Sequence, residues 1–217
     1  MRQAAAWELI TIFFAALGVV LISFPASPDE ARSKPDNDDL TIRIVSHVKQ
    51  VGENQSINRI NEPAIGSLMQ RRYRCLRSNA TGNRERGFAL SDDLGQMLGG
   101  PPNPSVVIDD RYWLGHACRL HSCSEAAAMI VDMQAGLVHF AMLHYYQWYN
   151  SVPQWREPLT DGYLSILIDP ATPVSELSAT ARIAMLWSSL KRGPSRPELR
   201  PSLYQATCVP ESHGSGG

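Results

Sequence analysis

Between residues 106 and 149 the apolar and polar positions change in short blocks, and the blocks predict an antiparallel meander. Residues 106–108 and 111–117 flank Asp109-Asp110, and residues 126–131 and 137–143 flank a second turn from 132 to 136 that carries Gly136. Each apolar run is thus closed by turn-forming residues, the pattern of strands joined as hairpins. Residues 161–169, DGYLSILID, read as a further strand. Over 175–190 the period lengthens: Ala179, Ile183, Leu186, Trp187 and Leu190 stand at helical spacing, after Pro173 and before Lys191-Arg192-Gly193, so start and stop signals agree with a helix.

The N-terminal half is less regular. Residues 39–49, DLTIRIVSHVK, set Leu40, Ile42 and Ile44 against Thr41, Arg43 and Val45, a period of two that reads as a strand, with a helix of similar length as the alternative. Residues 50–87 are polar and Arg-rich (RRYRCLRSN, NRERG) and read as a solvated face. Ser91-Asp92-Asp93 opens a short helix over 92–98 that Gly99-Gly100 closes, and Pro101, Pro102 and Pro104 break the chain before the meander. From Gly193 onward Pro and Ser dominate, and Cys208 alone argues for order there.

Residues 9–24, LITIFFAALGVVLISF, form a sixteen-residue run without charge, followed by the polar, Pro-rich PASPDEARSKPDNDD. At a rise of 1.5 Å such a run covers roughly 24 Å, short of the roughly 30 Å of membrane hydrocarbon, so a signal peptide fits somewhat better than an anchor. Phe24-Pro25-Ala26 is not the small-x-small pattern of a cleavage site and Glu8 departs from a basic leader, so an uncleaved N-terminal anchor is the alternative. The expected organisation is a leader or anchor over 1–25, a linker over 26–39, a domain over 40–192 and a Pro/Ser-rich tail over 193–217 tied by Cys208.

With 44% apolar and 19% charged residues the chain can support a packed core. Twenty basic against twenty-one acidic residues, a formal charge of −1, remove the electrostatic footprint of a nucleic-acid binder. No GxGxxG, phosphate loop, GxSxG or HExxH is present, so no enzymatic motif assigns a catalytic residue, a metal or a cofactor.

Export implies an oxidising compartment, where the four cysteines form two disulfides. Three connectivities exist; Cys118 and Cys123, five apart, can bridge a tight bend, which leaves Cys75 with Cys208. In the loop-entropy model the long bridge, closing about 134 residues, is worth about 4 to 5 kcal/mol and the short one about 2. The short one frames Cys118-Arg119-Leu120-His121-Ser122-Cys123 and would lift the four enclosed residues out of the sheet on a rigid stalk.

This CRLHSC segment, with Ala117 before it and the apolar AAAMIVDMQAGLVHFAML after it, resembles the inhibitor of vertebrate lysozyme (Ivy) family, whose hallmark is a C-K-P-H-D-C loop after a strand. NDDLTI, residues 37–42, is similar to the start of the family's mature domain. The resemblance covers about 35 residues; Leu120 stands where the family has Pro, Ser122 where it has Asp, and the aromatic stretch and tail after Leu143 have no counterpart. It implies an α+β fold, an antiparallel sheet with flanking helices and a disulfide-stapled protruding loop, in a periplasmic or secreted, often dimeric protein, held at the inner membrane if its leader is retained. It also implies a non-enzymatic role, in which the loop enters the cleft of a lysozyme-type glycoside hydrolase and His121 hydrogen-bonds its two catalytic carboxyl groups. An immunity protein against a peptidoglycan-cutting toxin is a variant of the same reading.

Other uses of the same residues compete. His116, Cys118, His121 and Cys123 carry zinc or copper ligand types, the mark of a cell-envelope metal-binding protein, although four ligands within eight residues are more crowded than two separated pairs. A Cys nucleophile with His lacks any known sequence context. In the plainest reading the bridge staples a hairpin and His121 is an ordinary surface residue. His139 and His144 read as satisfied, partly buried side chains, and Tyr145, Tyr146, Trp148, Tyr149 and Trp155 as core aromatics or a sugar- or protein-binding surface. The sequons Asn54-Gln55-Ser56 and Asn79-Ala80-Thr81 have meaning only in a eukaryotic secretory pathway.

Overall fold

A computed structural model describes residues 39–57, 62–78, 88–144, 162–192, 201–205 and 208. The run 9–24, the aromatics from Tyr145 to Trp155 and the sequon at Asn79 lie outside the described residues, as does most of the tail. No helix among the described residues is long and apolar enough to cross a membrane.

The fold is α+β, built around a six-stranded sheet in the order β3 (Pro102–Ile108), β4 (Tyr112–Arg119), β5 (Ser122–Asp132), β6 (Leu137–His144), β7 (Tyr163–Leu167) and β8 (Pro201–Tyr204). From β3 to β7 each strand pairs antiparallel with the next in the chain, as a meander does, but β8 adds parallel to β7, so the sheet is mixed. The three-residue turn between β3 and β4, Asp109-Asp110-Arg111, holds Asp109 and Asp110 at φ 52° and 50°, both left-handed, and is closed by Arg111 N donating to Ile108 O at 3.1 Å. Of the prolines expected to interrupt the chain, Pro102 and Pro104 lie instead in β3, an edge strand whose missing N–H groups break no interior ladder.

Helix α1 (Asp39–Val51) corrects the strand reading of 39–49. Its inward residues are Leu40, Ile44 and Val48 with Thr41 and Val45, a helical repeat; Ile42, which a strand would bury beside Leu40 and Ile44, is 48% exposed. Helix α2 (Glu62–Tyr73) lies within the segment expected to be polar surface and buries Ala64, Ile65, Leu68, Met69, Arg72 and Tyr73. Two short strands, β1 (Arg77–Ser78) and β2 (Phe88–Ala89), pair ahead of α3 (Leu90–Leu98). Helix α4 (Leu177–Arg192) follows a short 3-10 turn, close to the boundaries expected from the sequence.

The sheet is covered on both faces. Alternate residues of β4 to β6, Trp113, Ala117, Met129, Phe140 and Met142 among them, pack with α1, α2 and α3; Leu114, Ala128, Ile130 and Leu143 face α4 through Ile183, Ala184 and Trp187. Strand β6 is therefore buried along its whole length. At Gly115 any Cβ would fall 2.1 Å from the Trp113 ring, so only glycine lets that indole fold back across its own strand, where its Nε1 donates to Gly52 O at 2.9 Å.

Candidate functional site

The CRLHSC segment closes the β4–β5 hairpin. Cys118 stands opposite Ala126, then the register jumps to Arg119 opposite Ser122, which leaves Cys123, Ser124 and Glu125 as a bulge on β5. Leu120 and His121 alone make the turn, so the protrusion is two residues rather than the four expected. His121 sits at φ 66°, a left-handed conformation that His tolerates better than most side chains. Cys118 and Cys123 are disulfide-bonded, with Cα atoms 4.7 Å apart, and Cys75 is bonded to Cys208.

Exposure divides the segment. Cys118 is buried; Leu120, at 59% exposure, His121 and Cys123 are exposed, and Ser122 is half-buried. Arg119 does not project with the tip, because its guanidinium turns back on the buried carboxylate of Glu125 in the bulge. The Ser122 and Ser124 hydroxyls lie 3.3 Å apart and share one hydrogen bond. The groups presented outward are thus an isobutyl side chain and an imidazole, with the cystine beside them.

His116 does not join this tip. It lies on the α4 face of β4, half-buried, its Nδ1 accepting from Asn103 Nδ2 at 3.3 Å and its ring edge-on to Trp187 at 6.1 Å. Burial, with the charge of Lys191, lowers its pKa to about 4, so it is neutral at physiological pH. The metal-binding alternative needs Cys118 and Cys123 as thiolates, and their sulfurs are joined to each other. Among the described residues no three His, Cys, Asp or Glu side chains are arranged to hold a metal ion.

A buried polar network, which sequence reasoning missed, lies around the start of β6 and the end of β7. Arg72 Nη2 meets Asp169 Oδ2 at 2.9 Å and donates to Thr41 Oγ1 at 3.0 Å, while Arg72 Nη1 donates to Val138 O at 3.0 Å. Asp169 Oδ2 also accepts from Val138 N at 3.0 Å, and Asp169 N donates to His139 Nδ1 at 3.1 Å. His139 is buried and its pKa is lowered to about 4, burial outweighing the attraction of Asp169 and Asp132. His144, also buried, places Nε2 2.8 Å from Ser165 Oγ and stacks on Tyr163. Both imidazoles are hydrogen-bonded interior groups, as the sequence suggested.

Near that end of the sheet Arg111 bonds Asp132 through Nη2 at 2.6 Å and Glu176 at 2.9 Å, tying the β3–β4 and β5–β6 turns to the segment before α4. The Arg111 guanidinium holds the Asp132 carboxyl below its ordinary range against the opposing effect of burial. A scan against protein-family models finds no match to the chain, and searches of curated proteins and of solved structures find none either.

Proposed function

We propose that the protein is an exported, non-enzymatic inhibitor of lysozyme-type muramidases that inserts the Leu120-His121 tip into the enzyme's cleft. The observation that carries this reading is an exposed imidazole on a two-residue turn braced by a cystine, beside an arginine already neutralised by Glu125. Glycosidase clefts hold two carboxyl groups a few ångströms apart, and one imidazole with two ring nitrogens can hydrogen-bond both. A tip already ordered before contact avoids the entropy loss that weakens flexible loops. Two disulfides among the described residues fit an oxidising compartment, and the resemblance of the CRLHSC segment to the Ivy family supplies the target class.

The test replaces His121 with Asn. Alanine would add backbone strain at φ 66°, whereas Asn accepts that conformation and leaves the fold undisturbed. Loss of a desolvated contact at the centre of the interface should weaken inhibition of cell-wall lysis about thirtyfold, the equivalent of about 2 kcal/mol, with no change in Tm. A wild-type protein that inhibits no muramidase, or a His121→Asn protein that inhibits as well as wild type, defeats the reading.

A further inference from the structure

Just before β3, Gly100 lies buried against the back of the hairpin tip. A Cβ on Gly100 would fall 2.0 Å from the carbonyl oxygen of Cys118, 2.8 Å from the amide nitrogen of Leu120 and 2.9 Å from the carbonyl carbon of Arg119. All three are backbone atoms, which cannot swing aside as a flexible side chain would. Gly100 is not among the residues of positive φ, so the position requires glycine for space and not for conformation. The same junction is hydrogen-bonded to the tip's base: Cys118 N donates to Pro101 O at 3.2 Å, and Pro102 and Asn103 stand opposite Ala117 and His116.

We infer that Gly100 is the positioning residue of the tip, a side-chain-free seat that fixes where Leu120 and His121 point. Three constraints then act on the eight residues 118–125: the seat holds the backbone of 118–120 from behind, the Arg119–Glu125 pair holds the bulge, and the cystine crosses between them. The seat and the ion pair act on the strand that leads into the turn, so the tip keeps its place without the sulfur bridge. The effect on inhibition rests on the inhibitor reading; the placement of the tip does not.

The test compares Gly100→Ala with Gly66→Ala, where an added Cβ meets nothing within 4 Å. Both proteins should retain both disulfides by non-reducing peptide mapping. In Gly100→Ala the amides of 119–124 should exchange hydrogen at least about tenfold faster and muramidase inhibition should fall at least about tenfold, while Gly66→Ala changes neither. Gly100→Ala with wild-type exchange at these amides overturns the inference. If Gly100→Ala does not fold, a Cys118→Ala/Cys123→Ala protein decides: slow tip exchange retained without the bridge supports the seat, and its collapse assigns the positioning to the cystine and overturns it. A wild-type protein without inhibitory activity refutes the function of the tip, and the exchange measurements still decide what holds it.

Discussion

His139 ties stability to pH in a way that can be calculated before it is measured. Its imidazole is held neutral in the folded protein, with a pKa lowered from 6.5 to about 4 by burial. Above pH 6.5 neither the folded nor the unfolded chain carries the proton, and the residue makes no pH-dependent contribution. As pH falls through 6.5 the unfolded chain takes up a proton that the folded one refuses until about pH 4, so stability is lost across that window. At its steepest the loss is about 1 kcal/mol per pH unit, and between neutrality and about pH 4.5 it sums to about 2 kcal/mol. Asp132, whose pKa is lowered, stabilises above its ordinary value of 3.8 and loses that contribution below the window. His116 has the same sign as His139 but is partly solvated, so its contribution is smaller and stays as background. Urea unfolding followed by fluorescence of the buried Trp113 and Trp187, at several pH values from about 7.5 to 4.5, measures the slope. His139→Asn keeps an acceptor for the Asp169 N–H and cannot titrate; it should be somewhat less stable at neutral pH and should lose markedly less stability on acidification. Equal slopes for the two proteins would show that His139 binds its proton as readily folded as unfolded and would refute the reasoning.

Two further substitutions probe the scaffold. Arg72→Met leaves the buried Asp169 carboxylate without its cation and should destabilise by about 3 to 5 kcal/mol in urea unfolding, part of which returns in Arg72→Met/Asp169→Asn. Asp110→Gly relieves a side chain held at φ 50° in the β3–β4 turn while leaving the Asp109–Arg182 pair intact, and should raise stability by about 0.5 to 1 kcal/mol, read as a higher Tm.

What the sequence disclosed follows from how local each signal is. Helix α4 and the strands of the meander carry their own periods and their own stop residues, so they were legible. Helix α1 is rich in β-branched residues, and the alternation read over residues 40–45 outweighed the 40-44-48 repeat that burial obeys. At the end of α2 and just beyond it, the arginines at 71, 72 and 74 suggested solvent; that Arg72 alone of the three turns inward depends on Asp169, almost a hundred residues on, and no local pattern encodes it. Strand β8 exists because β7 offers a parallel edge, and PSLY within a Pro-rich tail gives no hint of it; the Cys75–Cys208 bond a few residues beyond, expected from the cysteines, argued only for order in the tail. The candidate site divides in the same way. The hexapeptide stood out, but the withdrawal of Arg119 depends on Glu125, two residues past the motif, and the seat depends on Gly100, which read only as the end of a helix.

The buried charges and the tip occupy opposite ends of the same strand. Val131, near one end of β5, stands opposite Val138, whose carbonyl and amide bind Arg72 and Asp169; Ser122, at the other end, closes the hairpin turn. On the partner strand six residues separate Trp113, opposite Val131, from Arg119, opposite Ser122, roughly 20 Å, well beyond the 7 to 10 Å within which substitutions normally couple. Around the network, removing one charge exposes another to a dry interior, so errors there are costly and rigidity follows. At the tip the half-buried Arg119 and the buried Glu125 neutralise each other, and the exposed residues Leu120 and His121 contribute almost nothing to the core. Substitution of the turn is therefore tolerated by the fold, and a loss of inhibition on changing His121 reports on recognition rather than on unfolding.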